Sequence, residues 1–96
     1  MSATRIPSVS DRVRARVLRD FGDAAPAVIA RLRKLDFPLS ELQDNERLQA
    51  AVVLIASGDE SRLESALAMG RLDWRDLLVA AGLASGDWGA RLDERL

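Results

Sequence analysis

The stretch RLQAAVVLIA, residues 47–56, decides the fold class of this chain. Only Arg47 and Gln49 interrupt its apolar residues, so other elements must cover more than one side of a helix formed here. The run is far shorter than the roughly 20 residues that a membrane-spanning helix needs. It therefore predicts a buried central helix over about residues 45–57 of a protein without a membrane span. The core residues expected on this helix are Leu48, Val52 and Ile55.

Two further helices are predicted on the N-terminal side, because apolar residues recur there at intervals of three and four. The first begins at Ser8 or Ser10 and ends at Gly22, and the second begins after Asp23. The apolar stripe of the first helix consists of Val13, Val17, Leu18 and Phe21. That of the second consists of Ala25, Val28, Ile29, Leu32 and Leu35.

Two Asp-Trp pairs lie in DWRDLLVAAGLASGDW, residues 73–88, and each marks a predicted helix start. An aspartate just before a helix accepts hydrogen bonds from unpaired backbone N–H groups and opposes the positive end of the helix dipole. Four aspartates have this position, and we expect them to be caps: Asp44, Asp59, Asp73 and Asp87. The tryptophans that follow two of them are expected to pack over the helix corners. The expected core of this half consists of Trp74, Leu77, Leu78 and Trp88.

Glycines set the expected ends of the later helices. The helix over residues 60–69 is predicted to end at Gly70, and the next helix at Gly82 or Gly86. Two segments of thirteen residues, RLQAAVVLIASGD (47–59) and RDLLVAAGLASGD (75–87), both begin with arginine and both end in Ala-Ser-Gly-Asp. This similarity suggests a duplicated helical hairpin.

These elements together predict one all-α domain over residues 1–96, in which residues 1–8 are expected to be flexible. Five or six short helices would form either a compact orthogonal bundle or a short stack of helical hairpins. The chain has 96 residues, 48% of them hydrophobic, and no cysteine, so its stability must come from helix packing and not from disulfides.

The charge distribution suggests one candidate binding surface. The net charge is only −1, but residues 1–34 contain eight basic and three acidic side chains. On the first helix Arg12, Arg16 and Arg19 stand at positions i, i+4 and i+7, which places them in one row. Such a row can hold phosphates or an acidic partner. The alternative is a solvated helix face with an Arg16–Asp20 ion pair.

Catalysis has little support in the composition. The chain has no histidine, cysteine or tyrosine, which removes the commonest general base, the best nucleophile and most transition-metal ligands. We therefore expect a non-catalytic protein–protein interaction module without cofactor or metal, which binds a protein partner or forms a homodimer through its apolar third helix. Binding of nucleic acid or another anion by the first helix is the alternative. A carboxylate- or metal-dependent enzyme around Asp73, Asp76 and Asp87 is a further one.

A resemblance covers the C-terminal half. ERLQAAVVLIASGD (46–59), followed by DWRDLLVAAGLASGDW (73–88), resembles a group of short bacterial all-helical proteins to which no function is assigned. The Asp-Trp-Arg-Asp block is its most specific part. The resemblance implies a small soluble bacterial protein and no particular activity, cofactor or catalytic residue. The N-terminal residues MSATRIPSVSDR lack the apolar core of a secretory signal, so we expect a cytoplasmic location.

Overall fold

The computed structural model of the chain describes residues 9–34 and 45–96, and this part is all-α, which confirms the predicted fold class. The helices are α1 (Asp11–Phe21), α2 (Ala25–Arg33), α3 (Asn45–Ala56), α4 (Glu60–Leu72), α5 (Trp74–Ala81) and α6 (Trp88–Arg95). A short 3₁₀ turn, Gly22–Ala24, joins α1 to α2. The expected cap Asp44 and the expected flexible residues 1–8 lie outside the described residues.

Helix α3 is the centre of the fold, as its apolar sequence predicts. It packs against α1, α4, α5 and α6. In a linear stack of hairpins each unit contacts only its neighbours. Here Arg12 and Arg16 of α1 donate hydrogen bonds to Asp93 and to the Arg95 carbonyl of α6, so the first and last helical pairs touch and the bundle is favoured over the stack. The buried residues of α3 are Leu48, Gln49, Ala50, Ala51, Val52, Val53 and Ala56. Because α3 is covered within one chain, it gives no support to the predicted homodimer, which stays a prediction.

The predicted core residues fall into two groups. Leu48, Val52, Leu77 and Leu78 are buried. Ile55, Trp74 and Trp88 are only partly buried and pack against the edge of the core. The tryptophans are the first residues of α5 and α6, and Ile55 lies in the last turn of α3 before an exposed corner. On α1 the apolar stripe is narrower than predicted, because Leu18 is 53% exposed.

Three of the predicted helix starts have a side chain that accepts backbone hydrogen bonds. Ser10 accepts from Val13 N, Asp59 accepts from the N–H groups of Ser61 and Arg62, and Asp73 accepts from Arg75 N.

Asp87 stands at the start of α6 but does not cap it. Asp59 and Asp73 have extended backbones, with ψ of 121° and 108°, whereas ψ of Asp87 is 17°. A cap residue needs the extended conformation to turn its carboxylate toward the first helical turn. The carboxylate of Asp87 instead accepts hydrogen bonds from Arg91 Nε at 3.2 Å.

The prediction that Gly70 ends α4 is wrong. Gly70 is buried inside the helix, which continues to Leu72. The helix ends where Asp73 becomes extended, with φ of −159°, while the Asp73 N–H still donates to the Met69 carbonyl. Gly82 ends α5, because its φ of 75° is the left-handed conformation of a helix C-terminus.

The shared Ala-Ser-Gly-Asp sequence adopts two different conformations. At residues 56–59, Ser57 and Gly58 have φ of 48° and 82° and turn the chain between two helices. At residues 84–87 the helix has already ended at Gly82, and Gly86 has no positive φ. The two segments are therefore alike in sequence without forming the same corner, and local structure does not support a duplicated hairpin.

Candidate functional site

The predicted basic row on α1 makes contacts within the protein. Arg12 donates from Nε to Glu46 Oε2 at 2.9 Å and from Nη2 to Glu46 Oε1 at 2.8 Å. Its Nη1 also donates to Asp93. Arg12 therefore ties α1 to α3 and to α6.

The other two arginines of the row differ in exposure. Arg16 donates to Asp20 at 2.7 Å and to the Arg95 carbonyl oxygen at 2.6 Å, and its side chain is only 15% exposed. Arg19 is 64% exposed, and its Nε lies 3.6 Å from an oxygen of Asp20. Two of the three guanidinium groups thus hold the fold together, and the third lies at the surface beside a carboxylate.

The Arg12–Glu46 pair is ionised at neutral pH. The hydrogen bond from Arg12 lowers the pKa of the Glu46 carboxyl, and a contact with Ser10 acts in the same direction, although burial opposes both. The same hydrogen bond raises the pKa of Arg12. These directions are those of an ion pair that stabilises both charges.

The carboxylates proposed for an enzyme do not gather into a metal-binding group among the described residues. Among residues 9–34 and 45–96, no three acidic, histidine or cysteine side chains come close enough together to hold a metal ion. Asp73 caps α5, and hydrogen bonds from the Arg75 backbone and side chain lower its pKa. A carboxyl with a lowered pKa is a poor general acid at neutral pH.

A groove between α2 and α4, of about 370 Å³, contains charges of both signs. Arg31 on one wall donates to Glu64 on the other, which lowers the pKa of the Glu64 carboxyl. Because this ion pair joins the two walls, a ligand would have to compete with it.

A second cleft, beside α5, has a different character, and we call it the tryptophan cleft. It encloses about 350 Å³. The described residues that line it are Arg47, Trp74, Arg75, Leu78, Val79 and Ala84. Most of the lining comes from two adjacent rows of side chains on α5. One row holds positions 74 and 78 and the other holds positions 75 and 79, because residues four apart lie on the same side of a helix.

The arginines of this cleft are held against aromatic rings. The guanidinium carbon of Arg75 lies 5.8 Å from the centre of the Trp74 ring. That of Arg47 lies 5.7 Å from the centre of the Trp88 ring, and Arg47 Nε donates to the Leu83 carbonyl at 2.8 Å. These distances are within the range of cation–π attraction, which fixes the arginine side chains without removing their charge.

The apolar part of the tryptophan cleft reaches the surface. Leu78 is 2% exposed and forms its floor, whereas Val79 is 67% exposed. Trp74 is partly buried beside them. A single exposed valine is ordinary, but here it adjoins an aromatic ring and a buried leucine in a concave surface.

The sequence did not predict this cleft. Val79 falls outside the apolar stripe of α5, and Arg47 comes from α3, far away along the chain. The available signal was Val79 itself, an apolar side chain four residues after Arg75 on the polar side of an amphipathic helix.

Comparison of the chain with protein-family profiles, curated proteins and solved structures found no match. The resemblance to short bacterial helical proteins therefore stays a prediction. Among the described helices, none has both the length and the apolar composition needed to span a membrane.

Proposed function

We propose that this protein is a non-catalytic, cytoplasmic protein-interaction module that binds a polypeptide segment in the tryptophan cleft. The observation that carries the proposal is the exposure of Val79 beside Trp74 and above the buried Leu78. Tryptophan and arginine are enriched at the energetic centres of protein interfaces, and this cleft presents both. Apolar surface in a concave site gains free energy when a partner covers it.

The contacts of α1 favour the tryptophan cleft over the basic row. An anion bound by Arg12 or Arg16 would have to replace hydrogen bonds to Glu46, Asp20 and the Arg95 carbonyl. Breaking such charge-assisted bonds opposes binding. Nucleic-acid binding by α1 would thus depend mainly on exposed arginines such as Arg14 and Arg19, without the row of three that the sequence suggested.

The described carboxylates give a second reason to propose binding over catalysis. Asp59 and Asp73 cap helices, while Glu46, Glu64 and Asp87 accept from arginines. Each of these groups already has a structural partner. The chain also has no histidine or cysteine, so the commonest general base and the best nucleophile are missing.

The proposal is tested by selection from a displayed library of random twelve-residue peptides. The immobilised protein is compared with Val79→Glu, which places a charge in the apolar part of the cleft. Leu72→Glu is the matched control, because Leu72 is 88% exposed and does not line the cleft. We expect enriched peptides on the wild type and on Leu72→Glu, and their loss on Val79→Glu.

Circular dichroism and thermal unfolding establish that the variants are folded. If no peptide is enriched on the wild type, or if the enriched peptides bind Val79→Glu equally well, the cleft is not a polypeptide-binding site.

A further inference from the structure

We infer that the segment bound in the tryptophan cleft is acidic and aliphatic, with an aliphatic side chain between Trp74 and Val79 and an adjacent carboxylate on Arg75. The inference rests on the proposed function and adds the chemistry of the partner. It follows from the shape of the cleft, from the sign of its charges and from the geometry of Arg75.

The size of the cleft suits the side chains of a bound segment. The cleft has a volume of about 350 Å³ and lies between α5 and the α5–α6 connection, with Leu78 as its floor. The walls offer an indole ring, the Val79 methyl groups and the Ala84 methyl group. Such walls exclude water from an aliphatic side chain but offer few partners to a polar one, whose burial would then cost free energy.

The described part of the cleft is lined by basic side chains, one of which, Arg75, is paired with Asp73 at its edge. Among the described residues that line it, both charged side chains are arginines, Arg47 and Arg75. Arg47 already donates to the Leu83 carbonyl and lies against the Trp88 ring, so we place the carboxylate of the partner on Arg75. Charge complementarity between such a surface and its partner favours carboxylates and disfavours lysine or arginine.

Arg75 is placed to receive a carboxylate. Its side chain is 73% exposed, and its Nε lies 3.3 Å from Asp73 Oδ1. The same oxygen of Asp73 accepts the Arg75 backbone N–H at 3.0 Å, so one acceptor serves two donors. A guanidinium has five N–H donors in a planar fork, and a carboxylate from the partner would pair with the terminal nitrogens.

The test extends the peptide selection to Arg75→Glu, with Arg14→Glu as the control for loss of an exposed arginine outside the cleft. Peptides selected by the wild type are sequenced, and one abundant peptide is synthesised for titration. We expect Asp or Glu beside Leu, Ile, Val or Met more often than in the unselected library. Loss of an exposed ion pair between Arg75 and the peptide carboxylate should weaken peptide binding to Arg75→Glu by about two- to fivefold. Peptide binding to Arg14→Glu should be unchanged.

Arg75→Gln is the second variant, because it removes the charge without adding a carboxylate beside Asp73 and Asp76. It should weaken binding by less than Arg75→Glu does, and both effects should shrink as salt concentration rises.

The outcomes separate the two proposals. Peptides that are lost on Val79→Glu but show no acidic preference, or that bind all Arg75 variants equally, overturn this inference and leave the proposed function standing. Peptides that survive Val79→Glu, or an absence of enriched peptides, overturn both.

Discussion

Arg12 on α1 holds Glu46 on α3 by two hydrogen bonds, Nε to Oε2 at 2.9 Å and Nη2 to Oε1 at 2.8 Å. The two side chains are 33% and 25% exposed, so the pair is partly screened from water. The pair joins the first described helix to the central one. A surface row of arginines in the sequence thus includes a tertiary contact of the fold.

Replacement of Glu46 by Gln should destabilise the protein by about 1 kcal/mol, because a charge-assisted bidentate pair becomes a weaker neutral contact that is still partly solvated. Urea unfolding followed by circular dichroism measures the change. Glu94→Gln is the control, since Glu94 is an exposed residue of α6, and its unfolding midpoint should match the wild type. Equal midpoints for both variants would show that the Arg12 contact adds nothing to stability.

The same pair predicts a dependence of stability on pH. The folded-state pKa of Glu46 is lowered, so its contribution is present above the ordinary value of 4.5 and is lost as the pH falls through the folded pKa. The difference in unfolding free energy between the wild type and Glu46→Gln should therefore narrow as the pH is lowered from 6 towards 3. A difference that stays constant over this range would contradict the assigned direction of the pKa shift.

The core contact of α5 gives a third prediction. Leu78→Ala should destabilise the protein by about 2–4 kcal/mol, because Leu78 is 2% exposed and its truncation leaves a cavity. Val79→Ala, at the neighbouring exposed position, should change stability by no more than about 0.5 kcal/mol. Thermal and urea unfolding of the two variants test this contrast, which fails if both substitutions have the same effect.

The two Ala-Ser-Gly-Asp segments should respond differently to the same glycine-to-alanine substitution. An alanine Cβ at Gly58 would lie 2.9 Å from the Asp20 carbonyl oxygen, and φ there is 82°, so Gly58→Ala should cost roughly 1–3 kcal/mol. Gly86→Ala meets no atom within 4 Å and requires no positive φ, so it should be neutral or slightly stabilising. Equal melting temperatures for the two variants would mean that the corners are alike after all.

The sequence predicted the features that depend on local chemistry. The apolar run of α3 required a central position, and the carboxylates of Asp59 and Asp73 have the expected places at helix starts. Asp87 and Gly70 show the limit of this reasoning. Whether an aspartate caps depends on its own backbone torsion, and whether a glycine ends a helix depends on how the next residues pack.

The tryptophan cleft could not be predicted because it is a tertiary feature. Arg47 and Arg75 lie on different helices, and only the packing of α5 against α3 brings them to one surface. The same holds for the basic row, since helical spacing placed Arg12 and Arg16 together but gave no information about Glu46 or the Arg95 carbonyl opposite them.

The most direct measurement is amide and indole chemical-shift mapping of the ¹⁵N-labelled protein during titration with a peptide selected by the wild type. Trp74 and Trp88 are the only tryptophans in the chain, so each indole N–H gives a distinct signal. If the peptide binds in the tryptophan cleft, shifts concentrate at residues 74–84 and at Arg47, with a large change at the Trp74 indole. Shifts confined to α1, around Arg14 and Arg19, with both indole signals unmoved, would contradict it and would move the binding surface to the basic helix.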